Sequence, residues 1–321
     1  MKYQIIIDEE IRAQAAEAVS QGRILNLKND IVFKSFFSKE CKESAYCRKK
    51  MLSAVLGKTV SATKVLNPEL HPTRTDGKFP RLDIHCRLED GSEVDVEIQN
   101  SMYDDDQIKR SIYYTATLAH NALSSGEPYS ALPHIYQIMF MDFKTVKDNR
   151  LHHSYTFKEC KDNTELSDIV QIHHIELPKI TEIFTKPIAE LSELEFWCIL
   201  IMADEKPEAR QLLSKLSQKK EMHMAEALLN SMSHDQQEWE NQMGYERFVH
   251  DCISREKYAF MKGERLGAEQ GAKANALESA KNLLKMNLGT PEQISQAVSL
   301  PLEQVLALKE EVLSTEAPGS K

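Results

Sequence analysis

Residues 78–99, KFPRLDIHCRLEDGSEVDVEIQ, hold two runs of apolar–polar alternation separated by an Asp-Gly pair. Leu82, Ile84, Cys86 and Leu88 alternate with Asp83, His85 and Arg87; Val94, Val96 and Ile98 alternate with Glu93, Asp95, Glu97 and Gln99. Successive side chains of a strand point to opposite faces, so each run predicts a strand with one buried face and one open polar face. Asp90-Gly91 signals the turn of an antiparallel hairpin. A two-residue loop would mix the faces. A three-residue loop, Asp90-Gly91-Ser92, keeps them apart, setting Leu88 against Val94, Cys86 against Val96, Ile84 against Ile98, His85 against Glu97 and Asp83 against Gln99. Asp83 and Glu97 are then diagonal neighbours, with Cα atoms ~7–8 Å apart or less. Their carboxylates can converge on one cation, and two hard oxygen donors with open positions suit Mg²⁺, Mn²⁺ or Ca²⁺ rather than zinc.

Outward from this hairpin, residues 9–21, 28–37 and 40–56 read as helices. Asn29 or Asp30 caps the second and Gly57 ends the third. Residues 59–66 read as a further strand, 106–124 as a helix, 134–143 (HIYQIMFMDF) as a buried strand, and 151–158 and 168–176 as two more strands. From 179 onward the pattern is nearly all helical, with breaks near Pro187, Pro207, Ser233 and Gly289. The order predicts an α/β block with a mixed sheet flanked by helices over 1–177. A helical region follows over 178–285, and a small helical hairpin with a disordered tail over 286–321.

With 321 residues, 41% hydrophobic and 28% charged, the chain has the composition of a globular protein of about two domains. It has no run of ~18 uncharged apolar residues for a membrane span. Its first residues, MKYQIIIDEEIRAQ, do not read as a signal peptide. Six scattered cysteines without a CxxC pair predict reduced thiols and a cytoplasmic location. A net charge of −9 excludes nucleic-acid coating by bulk charge. Residues 28–64, however, carry nine basic side chains, Lys34 among them, against three acidic ones, so the N-terminal half can face a polyanion. In the helix 106–124, Gln107, Arg110 and Tyr114 recur at i, i+3 and i+7 and form a polar stripe that can contact phosphate or stack on a base, or else face the sheet.

Four elements in order carry a family likeness: NDIVFKSFF at 29–37, Leu82-Asp83-Ile84, Val96-Glu97-Ile98-Gln99, and Arg110-Ser111-Ile112-Tyr113-Tyr114. Together they resemble the PD-(D/E)XK nuclease superfamily and, within it, the recombination-promoting nuclease (Rpn) family, whose members carry a transposase label. The likeness covers about residues 24–280. It implies a restriction-endonuclease-like fold and metal-dependent endonucleolytic hydrolysis of DNA phosphodiesters, connected with recombination and phage defence. It also implies that Asp83 and Glu97 ligate the metal (Mg²⁺ or Ca²⁺, with Mn²⁺ as a further option), helped by the Ile98 carbonyl, and that Asp30 completes the shell. The sequence departs from the superfamily at Gln99, where a lysine is usual, although the Rpn branch resembles it here. Glutamine can orient water but brings no charge, so a cation is expected from Lys78, Lys109 or Arg110. The resemblance further implies DNA as partner and an inhibitory short form from an internal start at Met222, Met243 or Met261; a homo-oligomer through the helical C-terminal region is expected from Gly263, Gly267 and Gly271, which read either as an oligomer seam or as a frayed linker.

Two other functions fit the same residues: a catalytically silent nuclease-fold scaffold that binds DNA or protein, and a transposase that joins as well as cuts DNA. His152-His153 and His173-His174 do not read as a zinc site, because adjacent residues on a strand point to opposite faces. Gly263, Gly267 and Gly271 lie every four residues in a charged stretch and each costs ~1 kcal/mol of helix propensity. Thr290-Pro291-Glu292-Gln293 is a capping box, and the acidic helix after Pro301 reads as a protein-interaction module rather than a DNA reader.

Overall fold

The structure, a computed structural model, describes residues 5–69, 82–100 and 107–316. It divides into two units, Met1–Arg247 and Phe248–Lys321. The first holds α1 (Glu9–Ser20), α2 (Asp30–Ser38), α3 (Lys42–Leu56), β1 (Thr63–Val65), β2 (Ile84–Leu88), β3 (Glu93–Gln99), α4 (Gln107–Asn121), β4 (Ile135–Met141), β5 (His152–Lys158) and β6 (Glu165–Glu176). After two 3₁₀ segments come α5 (Glu193–Met202), α6 (Pro207–Leu216), α7 (Lys220–Ser233) and the start of α8 (Gln236–Lys285). The six strands form one mixed sheet in the order β1-β2-β3-β4-β6-β5. Strands β3, β4 and β6 run parallel, with α4 as the crossover between β3 and β4, and the other pairs are antiparallel.

The alternation in the hairpin separates two layers. Ile84, Cys86, Leu88, Val94, Val96 and Ile98 face a large core that also takes Tyr136, Ile138 and Phe140 of β4. Phe33, Phe36 and Phe37 of α2 stack in that core, with ring centroids 4.8–4.9 Å apart between neighbours and Phe37 6.0 Å from Trp197. Helices α5, α6 and α7 contribute to the same core as the sheet, so residues beyond 177 are part of the first unit.

The hairpin register differs by two residues from the expected one. Ile84 stands opposite Val96, His85 opposite Asp95, Cys86 opposite Val94 and Arg87 opposite Glu93. The loop is therefore Glu89-Asp90-Gly91, closed by Gly91 N–H to the Leu88 carbonyl at 3.1 Å and Leu88 N–H to the Ser92 carbonyl at 2.9 Å. Asp90 Oδ1 accepts from Ser92 N–H at 2.9 Å, and Gly91 takes φ +85°, where a side chain would be strained. An even shift leaves every side chain on its face, so alternation alone cannot separate the two registers. The partners do change: His85 does not meet Glu97, and Asp83 comes level with Glu97 instead of Gln99. The polar face is not open either. Asp95 and Glu97 are fully buried, because α4 lies over this side, with Ser111 Oγ donating to Gln137 Oε1 at 2.7 Å. Strand β1 is shorter than the apolar run suggests because Glu89 takes the Ser61 and Ala62 N–H groups at 2.7 and 3.2 Å.

Asn29 caps α2: its Oδ1 accepts from the Ile31 and Val32 N–H groups at 3.1 and 3.4 Å. Asn29→Ala is expected to cost about 1 kcal/mol, read as a melting point lower by about 2–4 °C for a unit of this size. An unchanged melt would show that the cap carries no stability.

In the second unit the remainder of α8, α9 (Pro291–Val298) and α10 (Leu302–Glu316) enclose Ala280, Ile294, Leu300, Val305 and Leu308. The Thr290–Gln293 capping box forms as expected. Gly263, Gly267 and Gly271 of α8 have open space where a Cβ would stand, and Ile253, Tyr258, Phe260 and Met261 are exposed. Among the described residues no helix is long and apolar enough to cross a membrane, and all six cysteines are free.

Candidate active site

Asp83 immediately precedes β2 and Glu97 lies in β3, and the observed register locks them together. Asp83 N–H donates to Glu97 Oε1 at 2.9 Å, and Ile98 N–H donates to Asp83 Oδ2 at 3.2 Å. Each carboxylate thus spends one oxygen on the backbone of the other's strand. The second oxygens point to cations. Lys34 Nζ lies 2.7 Å from Asp83 Oδ1 and 3.0 Å from Asp30 Oδ2, one helical turn away on α2. Arg110 of α4 lies 3.6 Å from Glu97 Oε2, with its guanidinium 5.1 Å over the Tyr114 ring. Gln99 Nε2 donates to Glu97 Oε2 at 3.3 Å. The register therefore brings Asp30, Lys34, Asp83, Glu97, Gln99 and Arg110 into one cluster.

The electrostatics follow from this crowding. Burial, and then the charge of Asp30, push the Asp83 carboxyl up to about 6 against the pull of Lys34. Burial, and then Asp83, push Glu97 up to about 8. Asp95 is pushed well above the usual range by burial and then by Glu97 and Asp83, which crowd it. Burial acts to lower Lys34, but Asp83 and Asp30 outweigh it and leave its pKa raised. Neighbouring carboxylates that cannot all ionise mark a place where a positive ion would be bound favourably.

Other expected residues are placed differently. Gln107 is buried, and neither end of its amide finds a partner among the described residues. Tyr114 packs against Leu82, Leu118 and Ile135, so this stripe faces the sheet. Lys78 lies outside the described residues. His85 Nε2 approaches Glu93 Oε2 at 2.6 Å and its Nδ1 approaches the Asn67 carbonyl at 3.0 Å, while Arg87 Nε donates to Glu93 at 2.8 Å. Glu93, not Glu97, is thus the histidine's partner. Sequence reasoning gave Lys34 only a DNA contact and Asp95 no role. The i, i+4 spacing of Asp30 and Lys34 was the available signal for the first; nothing local marks the second.

The residues fit a divalent ion. The donors are hard carboxylate oxygens, and the raised carboxyls gain from a cation. Among the described residues no three His, Cys, Asp or Glu side chains form a ready-made metal cage. Two carboxylates with open positions suit Mg²⁺, which keeps several waters, better than Ca²⁺, which takes six to eight oxygens. The four histidines have other partners: His152 Nε2 lies 2.9 Å from His173 Nδ1, His153 Nε2 lies 2.9 Å from Asp148, and His174 Nε2 lies 3.3 Å from Ser111 Oγ.

A cavity of about 400 Å³ adjoins Asp83, lined by Lys34, Ser38, Lys39, Leu66 and His85 among others. Compared with known proteins, residues 27–259 match the family model described as PD-(D/E)XK nuclease family transposase. No curated protein and no solved structure matches the chain.

Proposed function

The chain belongs to the PD-(D/E)XK nuclease family transposases, and on that premise we propose that it is a divalent-metal-dependent DNA endonuclease that cuts at the Asp83–Glu97 pair. The observation that carries this reading is the reciprocal latch, Asp83 N–H on Glu97 and Ile98 N–H on Asp83, which turns the second oxygen of each carboxylate toward a positive or donor group, Lys34 for Asp83 and Arg110 with Gln99 for Glu97, whose place a metal ion would take. Asp83 and Glu97, with the Ile98 carbonyl, would hold the ion. When bound, such an ion polarises the scissile phosphate, lowers the pKa of its water and offsets developing charge.

The remaining work falls to the chain. Gln99 fixes the rotamer of Glu97 through its amide. Asp30, held by Lys34, completes the acidic rim. Helix α4 keeps water from the back of the cluster, which strengthens every charge interaction inside it. The Asp83 side chain is 7% exposed and borders the cavity, while that of Glu97 is fully buried behind it.

Supercoiled plasmid incubated with the purified protein and Mg²⁺ or Mn²⁺ should be nicked or linearised, and EDTA should stop it. No cutting, with DNA still bound, would replace this reading by the silent scaffold. Joined products with a defined end sequence would replace it by a DNA-joining transposase.

A further inference from the structure

Gln99 stands where superfamily nucleases usually carry their lysine, and its amide is already committed to Glu97 Oε2 at 3.3 Å. A site that breaks a phosphodiester at this hairpin still has to meet the negative charge that builds on the phosphate. Hydrogen-bond donors fixed in advance at that point are worth about 10²–10³ in rate each. The cations around the cluster differ in how far they are free to do this. Arg110 is as exposed as Lys34, but it lies over the Tyr114 ring, faces Glu97 from α4 and does not line the cavity beside Asp83. Lys39 also lines the cavity, but its Nζ pairs with Glu238 at 3.2 Å and with neither Asp83 nor Asp30, and Lys28 is buried between Asp142 and Glu205 at 2.5 and 2.6 Å. His85 is held between Glu93 and the Asn67 carbonyl.

Lys34 is placed otherwise. Its side chain is 29% exposed and lines the cavity that Asp83 borders. An ammonium has three donors. Among the described residues two are used, on Asp83 Oδ1 and Asp30 Oδ2, which leaves the third for a ligand in the cavity. In the metal-free protein the two carboxylates hold the head group beside the cavity, and Asp30 remains its partner when a metal ion takes Asp83. The compact, rotatable charge of lysine suits a single phosphate oxygen.

We propose that Lys34 is a catalytic residue, supplying from helix α2 the positive charge that Gln99 does not, by donating a hydrogen bond to a non-bridging oxygen of the scissile phosphate. It transfers no proton and only stabilises charge. This rests on the endonuclease reading above. It also makes Lys34 a competitor for the metal, because its ammonium occupies Asp83 in the metal-free protein.

The test compares wild type with Lys34→Met, which keeps the length of the side chain and removes its charge. Single-turnover cleavage of supercoiled plasmid in Mg²⁺ should fall by about 10²–10³-fold, while DNA affinity in EDTA, read by fluorescence anisotropy, stays nearly level. Affinity for Tb³⁺, read by its luminescence, should tighten, because a competing cation has left Asp83. A lysine whose role is only to hold the carboxylates together would give the opposite sign. Lys34→Met/Gln99→Lys, with the charge restored on β3, should regain much of the lost rate. Should Lys34→Met not fold, as judged by circular dichroism, Lys34→Gln takes its place.

Cleavage by Lys34→Met at the wild-type rate overturns the proposal and leaves the endonuclease reading intact. So does a variant whose Tb³⁺ affinity falls together with its activity. A wild type that binds Tb³⁺ and DNA but never cuts overturns the endonuclease reading, and this one with it.

Discussion

Glu97→Gln is expected to lower metal-dependent DNA cleavage by about 10³-fold or more, with the fold intact. The bound cation accounts for several kcal/mol of transition-state stabilisation, and each ~1.4 kcal/mol is a factor of ten. Glutamine keeps the shape of the side chain, and its amide oxygen can still accept the Asp83 N–H that Glu97 Oε1 takes at 2.9 Å. It loses the oxygen that faces Arg110, accepts from Gln99 Nε2 and, in the proposed complex, would bind the metal as an anion. The neutral side chain also needs no counter-charge in a position that is fully buried. Activity and stability should therefore separate: turnover collapses while circular dichroism and the melting point at pH 7 stay near wild type. Asp83→Asn should do the same to activity, and the double variant should be little worse than either single one, because both remove the same bound ion. Plasmid cleavage with graded enzyme reads all three. Full activity in Glu97→Gln would mean that the active site lies elsewhere in the chain.

How the sequence relates to this site is uneven, for physical reasons. The alternation from Leu82 to Ile98 settles which residues share a face, because a strand has a period of two and one face must be buried. Alternation alone puts Asp83, Asp95 and Glu97 on one face of the hairpin. The same period leaves registers that differ by two residues equivalent, and the choice falls to loop chemistry: the Asp90 side chain on Ser92 N–H and the positive φ of Gly91. The polar face reads as open because alternation does not show what covers it. Here α4 does, and only its tertiary placement turns three strand acids into a buried cluster. The bridge from Lys34 to Asp83 joins residues 34 and 83, on elements separated by two others in the chain. Local pattern carries no information about such a contact, although the capping of α2 by Asn29, which aims that turn, was legible. The helices after residue 178 read correctly as helices. Their partner did not: burying Trp197, Ile199 and Leu228 against the sheet side is a matter of which apolar faces meet.

The metal-free protein is expected to lose stability between pH 6.5 and 8.5, and the metal-loaded protein is not. Glu97 holds its proton up to about 8 in the fold, against 4.5 for an ordinary glutamate, and Asp95 is raised well above its usual 3.8. Their stabilising effect is fully present below pH 4 and is lost as pH rises through the folded values. In this window the native state carries protons that the unfolded chain has already released, so stability falls by about 1.4 kcal/mol per pH unit for each such proton. Over the first one and a half units the loss is on the order of 2–4 kcal/mol, depending on whether one or two carboxyls hold on. Asp83, at about 6, has released most of its proton by the start of the window. His152, His173 and His174 are depressed by burial, so they weaken the fold only below about 6.5. The lowered carboxylates Glu89 and Asp90, at about 2, act below 4. The buried thiols Cys47 and Cys86 begin to matter only toward 9. A divalent ion at Asp83 and Glu97 displaces the protons, since it binds carboxylates as anions. The rise in melting temperature produced by Mg²⁺ over EDTA should therefore be small at pH 6.5 and large at 8.5, and Glu97→Gln should flatten the pH dependence in EDTA. Scanning calorimetry at three pH values, with each protein in Mg²⁺ and in EDTA, measures it. A melting point in EDTA that does not change with pH would mean that these carboxyls are not crowded in the way their burial, the Lys34 bridge and the Asp83–Glu97 latch require.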